Sequence, residues 1–293
     1  MLLQQIANGL ALGAVYALFA LGFTLIFGVL EIISLAHGAV FMAGAFAGLT
    51  AVTRFHAGVP AALAASMLAA GLLGLAVDFV AVRPLRKKKH HHLAPMIATI
   101  GCATMITSVY QGVFGAEVYR FPLDFAPQAM VTIAGAQLSL LQVIIILVSF
   151  GLMAVLITVL RRTAWGTAIR AVAESPRTAA LLGIPVERVY QATVFVSSAL
   201  GGAAGALTGL DFNAIHTFMG GPILHRGIAV IILGGMGDIR GALAGGLILG
   251  FAEVLSVAYL SSDFRDALSF GLLFLILLVR PSGLFGRAAE RKG

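Results

Sequence analysis

The first 30 residues, "MLLQQIANGLALGAVYALFALGFTLIFGVL", carry no charged side chain, and apolar runs of this kind recur as far as residue 280. About 20 such residues in a helix cross a hydrocarbon core of ~30 Å. Only helices and closed barrels satisfy their backbone hydrogen bonds in lipid, and these runs lack the period-2 alternation of barrel strands. The chain therefore reads as an all-α polytopic membrane protein. Its 60% hydrophobic and 11% charged residues agree, since about a quarter of residues are charged in soluble domains.

Spans fall near 5–30, 34–54, 58–82, 93–115, 138–160, 189–210, 241–260 and 264–280. A shorter apolar piece, 226–236, reaches roughly 17 Å as helix and reads as a half-helix or re-entrant segment. The count is eight transmembrane helices plus this short piece. The opening run lacks the charged n-region of a secretory signal, so it reads as the first span. Cys102 stands alone, which excludes an intrachain disulfide and a zinc-type ligand set.

Fourteen of the 19 Lys and Arg residues lie in three segments, 83–92, 161–188 and 280–293. Loops retained in the cytoplasm carry such an excess, so all three, with the C-terminus, are expected there; the N-terminus then lies outside only if 226–236 crosses the membrane. The net charge of +7 then reflects topology and attraction to anionic membrane lipid, not nucleic acid, for which no basic-aromatic module exists. The "KKKHHH" run, 87–92, reads as a solvated face; no metal site is expected.

A weak parallel repeat relates the two halves: "HGAVFMAGAF" from His37 and "RGALAGGLIL" from Arg240 each lead on to a "VRP", at Val82 and Val279. Just before those spans come the most polar points within the membrane region. "GVLEIISLAHG" holds Ser34, His37 and Gly38; "GGMGDIRG" holds Gly234, Gly235, Gly237 and Asp238. Broken helices at membrane depth line solute paths in transporters, which makes these residues candidates for a translocation path. The competing reading is a tight turn in which Asp238 caps a helix and His37 packs in a hydrogen-bonded core. Asp78 and Glu253 lie inside spans, where isolated charges are costly. Pairing with Arg83 suits Asp78; Glu253 stays open.

The interlude "AIRAVAESPRTAALLGIPVERV", 168–189, is polar and helix-forming. Ser175 can cap, Pro176 suits the first helical position and Gly183 can end the helix in the left-handed region. A helix this short orders only by packing. Ala179, Ala180, Leu181 and Leu182 would give it a surface for a partner's groove.

Over nearly its whole length the chain resembles the permease subunits of branched-chain amino acid ABC importers, the LivH type. The resemblance rests on "GLALGAVYALFALGFTLIFGV", "SLAHGAVFMAGAF", "RPLR", "WGTAIRAVAESPRTAALLGI", "IAVIILGGMGDIRGALAGGLILGFAEVL" and "LVRPSGLFG", in that order. It implies a single ABC-importer permease domain over 1–293 in a bacterial inner membrane. It also implies that the segment 161–188, which holds most of this interlude, is the cytoplasmic ATPase-coupling segment, through Arg170, Ala171, Glu174, Ser175, Ala179, Ala180 and Gly183. The implied partners are a second permease subunit, two cytoplasmic ATPase subunits and a periplasmic substrate-binding protein. The chain itself would be no enzyme and hold no cofactor; ATP and Mg would bind to the ATPases, consistent with the absence of any Gly-Lys pair for a Walker A cradle.

Two departures stand out. Ser175 occupies a place where the family commonly has Asp, and Ser34-Leu35-Ala36-His37-Gly38-Ala39 replaces the usual N-F-A-H-G-E. The second leaves open whether branched-chain amino acids or a related small solute such as urea or an amide is carried. From a different class, an ion- or proton-coupled secondary transporter would use Asp78, Glu253 or His37 as titrating groups.

Overall fold

The computed structural model describes residues 2–87, 93–122, 125, 130–133, 136–259, 261 and 264–286. The histidines of the "KKKHHH" run lie outside them. The elements are α1 (Leu2–Leu30), α2 (His37–Phe55), α3 (Val59–Val77) running through a π-helical turn (Asp78–Val82) into α4 (Arg83–Lys87), and α5 (Leu93–Phe114). A two-stranded antiparallel ribbon follows, β1 (Met130–Ile133) and β2 (Ala136–Ser139), which the apolar pattern does not signal. Then come α6 (Leu140–Arg162), α7 (Ala164–Glu174), α8 (Pro176–Leu181), α9 (Val186–Phe212), α10 (Gly220–Gly234), α11 (Ile239–Tyr259) and α12 (Phe264–Val279).

Among the described residues, seven helices are long and apolar enough to cross a membrane, and shorter apolar helices form at Gly220–Gly234 and Ser269–Val279. The chain is a multi-pass membrane protein. The doubtful piece 226–236 belongs to α10, which starts earlier, at Gly220, because Gly, His and Arg in its first turns mask it from hydropathy. Its 15 residues cover only about 22 Å. The irregular stretch 213–219 makes up the rest: Ile215 pairs with Tyr119 at one end of the bundle, while the α10–α11 turn lies at the other, with Gly237 beside Gly28 at the close of α1. The segment thus runs the length of the bundle, part irregular and part helical.

The same end gathers the described parts of all three basic segments. Arg83 and Arg86 of α4 bond Glu187 at the start of α9, and the stretch after α12 pairs with the end of α10 through Leu284 N–H to Leu233 O at 2.9 Å. We call this the basic end.

The core is built on α1, whose residues from Gly9 to Leu30 are almost all buried, packed by α11, α9, α6 and α10. Its Gly, Ala, Leu and Phe residues present an apolar surface on every side, as a helix enclosed by others requires. Close approach depends on small residues, the usual device where lipid removes the hydrophobic drive between helices. A Cβ on Gly250 of α11 would fall on the backbone of Gly13 of α1, and one on Gly44 of α2 on the backbone of Gly202 of α9. The two halves also share an element order, with α1–α2–α3 and α10–α11–α12 each interrupted by a short break after the first helix. Their contacts are reciprocal: α1 packs on α11 and α10 on α2.

Candidate translocation clefts and docking helix

The break between α1 and α2 lies within the bundle. His37 stands level with Gly22 of α1 and Gly201 of α9, both of whose added Cβ atoms would meet its ring, so residues 31–36 fold back inward from the end of α1. The ring lies between Phe19 and Phe23, with centroids 4.8 and 5.5 Å away, and is 1% exposed. The Phe19 carbonyl lies within electrostatic reach, but neither ring nitrogen has a partner in hydrogen-bond geometry. A cavity of about 20 Å³ adjoins it, lined also by Ser34, Asp78 and Ser198. A space of that size holds about one water, with polar groups to bind it. The expectation of a hydrogen-bonded core histidine therefore fits the burial but not the bonding seen from protein atoms alone.

Gly38 faces elsewhere. Its backbone abuts Gly220, where α10 begins, and both border a cleft of about 350 Å³ between α2, α5 and α10. Thr104, Thr107, Ser108 and Gln111 of α5 line that cleft, with Thr217 from the irregular stretch. The spacing of the four α5 residues puts them on one helix face. That polar stripe inside an apolar span is legible in the sequence and was missed among the candidates.

The second break has the geometry of a capped turn. Asp238 Oδ1 accepts the N–H groups of Arg240 at 2.7 Å and Gly241 at 3.1 Å, which caps α11. Gly235 and Gly237 have φ of 104° and 86°, the region glycine tolerates. Gly234 O accepts from Phe285 N–H at 2.9 Å. These four residues sit at the basic end, apart from both clefts. Of the residues proposed for a path, the structure thus brings Ser34 and His37 together, Gly38 onto the neighbouring cleft, and Gly234, Gly235, Gly237 and Asp238 into a terminal turn.

Asp78 and Glu253 are both paired. Glu253 of α11, 0% exposed, accepts from Tyr16 of α1 at 2.8 Å and from Ser269 of α12 at 3.2 Å. Arg226 of α10 lies 2.8 Å from it, so four helices meet on one carboxylate. Asp78 pairs with Arg86 at 3.4 Å, not with Arg83, which instead lies 2.7 Å from Glu187. Arg86 also reaches Glu187 at 3.0 Å and stacks 4.3 Å over Tyr190.

The interlude folds as two helices. Thr163 caps α7 through Gly166 N–H, and Arg170 turns back to donate to the Leu160 carbonyl that ends α6. Ser175 caps α8 through Thr178 N–H, Pro176 opens it and Gly183 closes it with φ 80°. Ala171 is half-buried on α7, and Glu174 is exposed. The four residues expected to form one free surface divide: Ala179 is buried because α8 leans on α7 and α9. Ala180 is exposed, and Leu181 and Leu182 are 83% and 75% exposed. A short, capped helix at the basic end thus presents two bare leucines on a polar segment.

Comparison with known proteins decides the family. The family described as the permease component of branched-chain amino acid transport systems matches residues 5–277. The chain belongs to this family. It is 35% identical to the high-affinity branched-chain amino acid transport permease LivH of Salmonella typhimurium, over 99% of this chain and 97% of that one. The permease BraD of Pseudomonas aeruginosa is 33% identical over the same shares. A protein described as a probable LivH from Methanocaldococcus jannaschii is 31% identical over 92% of this chain and 88% of its own. No solved structure matches. The cleft beside α5 and the capped helix α8 are therefore features of a permease component.

Proposed function

We propose that this permease forms part of the translocation path of an ATP-driven importer for branched-chain amino acids or a related small solute in a bacterial inner membrane, with its C-terminus cytoplasmic. The observation that carries the coupling is α8, whose Leu181 and Leu182 stand 83% and 75% exposed at the basic end. An apolar knob on a rigidly capped helix suits a groove in a partner, and Gly183 gives it a fixed stop. The partners are two cytoplasmic ATPase subunits, which hold the ATP and Mg, a second permease and a periplasmic binding protein that delivers solute.

The path belongs to the cleft beside α5, where Gly38 meets four polar residues, on a helix whose apolar window is only 11% buried. That uncovered side is free for the second permease. Ser34 and His37 lie behind it, where a change in the α1–α2 break alters the cleft wall. Glu253 and Asp78, two of the three titrating groups a proton-coupled carrier would use, are ion-paired, which favours a structural use of each. The test is co-purification of ATPase subunits with Ala180→Asp and Leu181→Asp variants. Association falls at least tenfold while membrane insertion and thermal stability hold; undiminished association sinks the docking assignment.

A further inference from the structure

The basic end holds a groove that neither the path nor the docking helix uses. It opens between α3 and α9, encloses about 470 Å³ and is lined by Leu75, Phe79, Arg188, Gln191, Ala192 and Phe195, with the paired Asp78 in its floor. Its walls are apolar and its mouth is cationic. Phe195 lies across Gly71, where an added Cβ would strike the ring, so the groove continues along α3 as an apolar track. Leu68, Leu72, Phe79 and Val80 stand exposed on that side. Phe79 and Val80 are neighbours in the π-helical turn, and both are exposed.

Charge is the second observation. Arg188 is exposed and has no ion-pair or side-chain hydrogen-bond partner among the described residues. Arg83 stacks on Phe79 at 5.4 Å. Arg83 and Arg86 pair with the two carboxylates Asp78 and Glu187, so Arg188 leaves a net positive charge, and Lys87, Lys88 and Lys89 follow in sequence. Basic pockets between membrane helices at the positive end attract anionic headgroups.

We infer that this groove is a binding site for one anionic phospholipid, its headgroup phosphate held by Arg188 with Gln191 and its acyl chain laid along Phe195, Phe79, Leu72 and Leu68. A free phosphate would make no use of the apolar track, and a zwitterionic lipid would bring an ammonium group up against the arginines. Arg188 opens α9 next to Glu187, so the lipid would brace the helix that leaves the docking segment.

The test uses the full chain with its natural partners, purified in mild detergent, and measures phosphatidylglycerol retained by lipid extraction and mass spectrometry. Arg188→Gln lowers retention about fivefold, the equivalent of the ~1 kcal/mol per basic residue near an anionic surface. Arg188→Lys restores most of it, and Arg54→Gln, an exposed cation on α2, leaves it unchanged. In nanodiscs, adding phosphatidylglycerol to phosphatidylcholine raises the unfolding temperature of the unaltered protein but not of Arg188→Gln. Equal retention by Arg188→Gln and Arg54→Gln overturns the site. So does protection by inorganic phosphate alone, which would mark a free-anion site, or loss of the second permease from Arg188→Gln with lipid retention intact, which would make the groove a subunit contact.

Discussion

Helices α1 and α5 are both uncharged apolar spans, yet the most apolar window of α1 is 89% buried in the bundle and that of α5 only 11%. Hydropathy places both in the membrane and says nothing about this difference. What separates them is the pattern of small and polar residues. On α1 and its partner α11, glycines recur where backbones touch, and Tyr16 reaches a buried carboxylate. On α5, Gly101 and Gly112 face open space, and the polar residues share one side, where they border a cleft. The first arrangement holds the fold; under the proposed function, the second leaves a surface for solute and subunit.

The sharpest way to break this comparison is at Glu253. Arg226→Ala leaves a carboxylate with one fewer partner in a site of 0% exposure, and removing one member of a buried pair costs about 3–5 kcal/mol. Folded, monodisperse protein is expected to fall to a small fraction of its normal yield. Arg226→Met combined with Glu253→Leu recovers much of that loss, because an apolar pair leaves no buried charge. Normal yield of Arg226→Ala in detergent, judged by size-exclusion profile and unfolding temperature, would show that the network does not hold α1 in place.

A milder contrast uses glycine alone. Gly250→Leu drives a side chain into the backbone of Gly13, and overpacking of this kind costs about 1–3 kcal/mol. Gly101→Leu meets nothing within 4 Å and should leave the unfolding temperature unchanged or slightly raised. If both variants unfold alike, the α1–α11 seam is not close-packed as described.

The third case separates stability from transport. Ser108→Leu and Thr104→Leu place apolar bulk on the exposed side of α5 and are expected to leave unfolding unaffected, since neither side chain is buried. In proteoliposomes containing the whole importer, ATP-dependent uptake of labelled leucine falls about tenfold, roughly the effect of one misplaced group in a solute-sized cleft. The same loss on moving the substitution to Met105, exposed and outside the cleft lining, would remove the cleft from the path.

Local grammar was readable in the sequence, and long-range partnership was not. Ser175, Pro176 and Gly183 announce α8 because capping needs only neighbours in sequence, and Asp238 announces its helix start in the same way. The apolar runs announce the spans because their length is set by the membrane. Arg226 and Glu253, on separate helices, give no local sign of meeting, and Asp78 paired with Arg86 while Arg83 went to Glu187 on another helix, a partner the local sequence does not reveal. Ala179 turned inward because α8 leans on α7 and α9, neighbours its own six residues do not announce. The polar stripe on α5 follows from spacing alone, and its meaning needed Gly38 and Gly220 to be seen opposite it.

The smallest effect tests the capping grammar itself. Ser175 Oγ accepts from Thr178 N–H at 3.3 Å and lies 2.9 Å from the Thr178 hydroxyl, so Ser175→Ala removes about 1 kcal/mol from a helix with little else to order it. The bundle carries its stability elsewhere, and the unfolding temperature is expected to stay put. Under the proposed docking role, the fraying of α8 raises the cost of presenting Leu181 and Leu182 together, and ATPase association weakens about fivefold. Ser175→Asp keeps an oxygen acceptor and adds a charge favourable at a helix start, so association returns to the level of the unaltered protein or above it. Weakened binding in both variants would mean that the partner touches the Ser175 side chain directly, and α8 would then act by its surface and not by its rigidity.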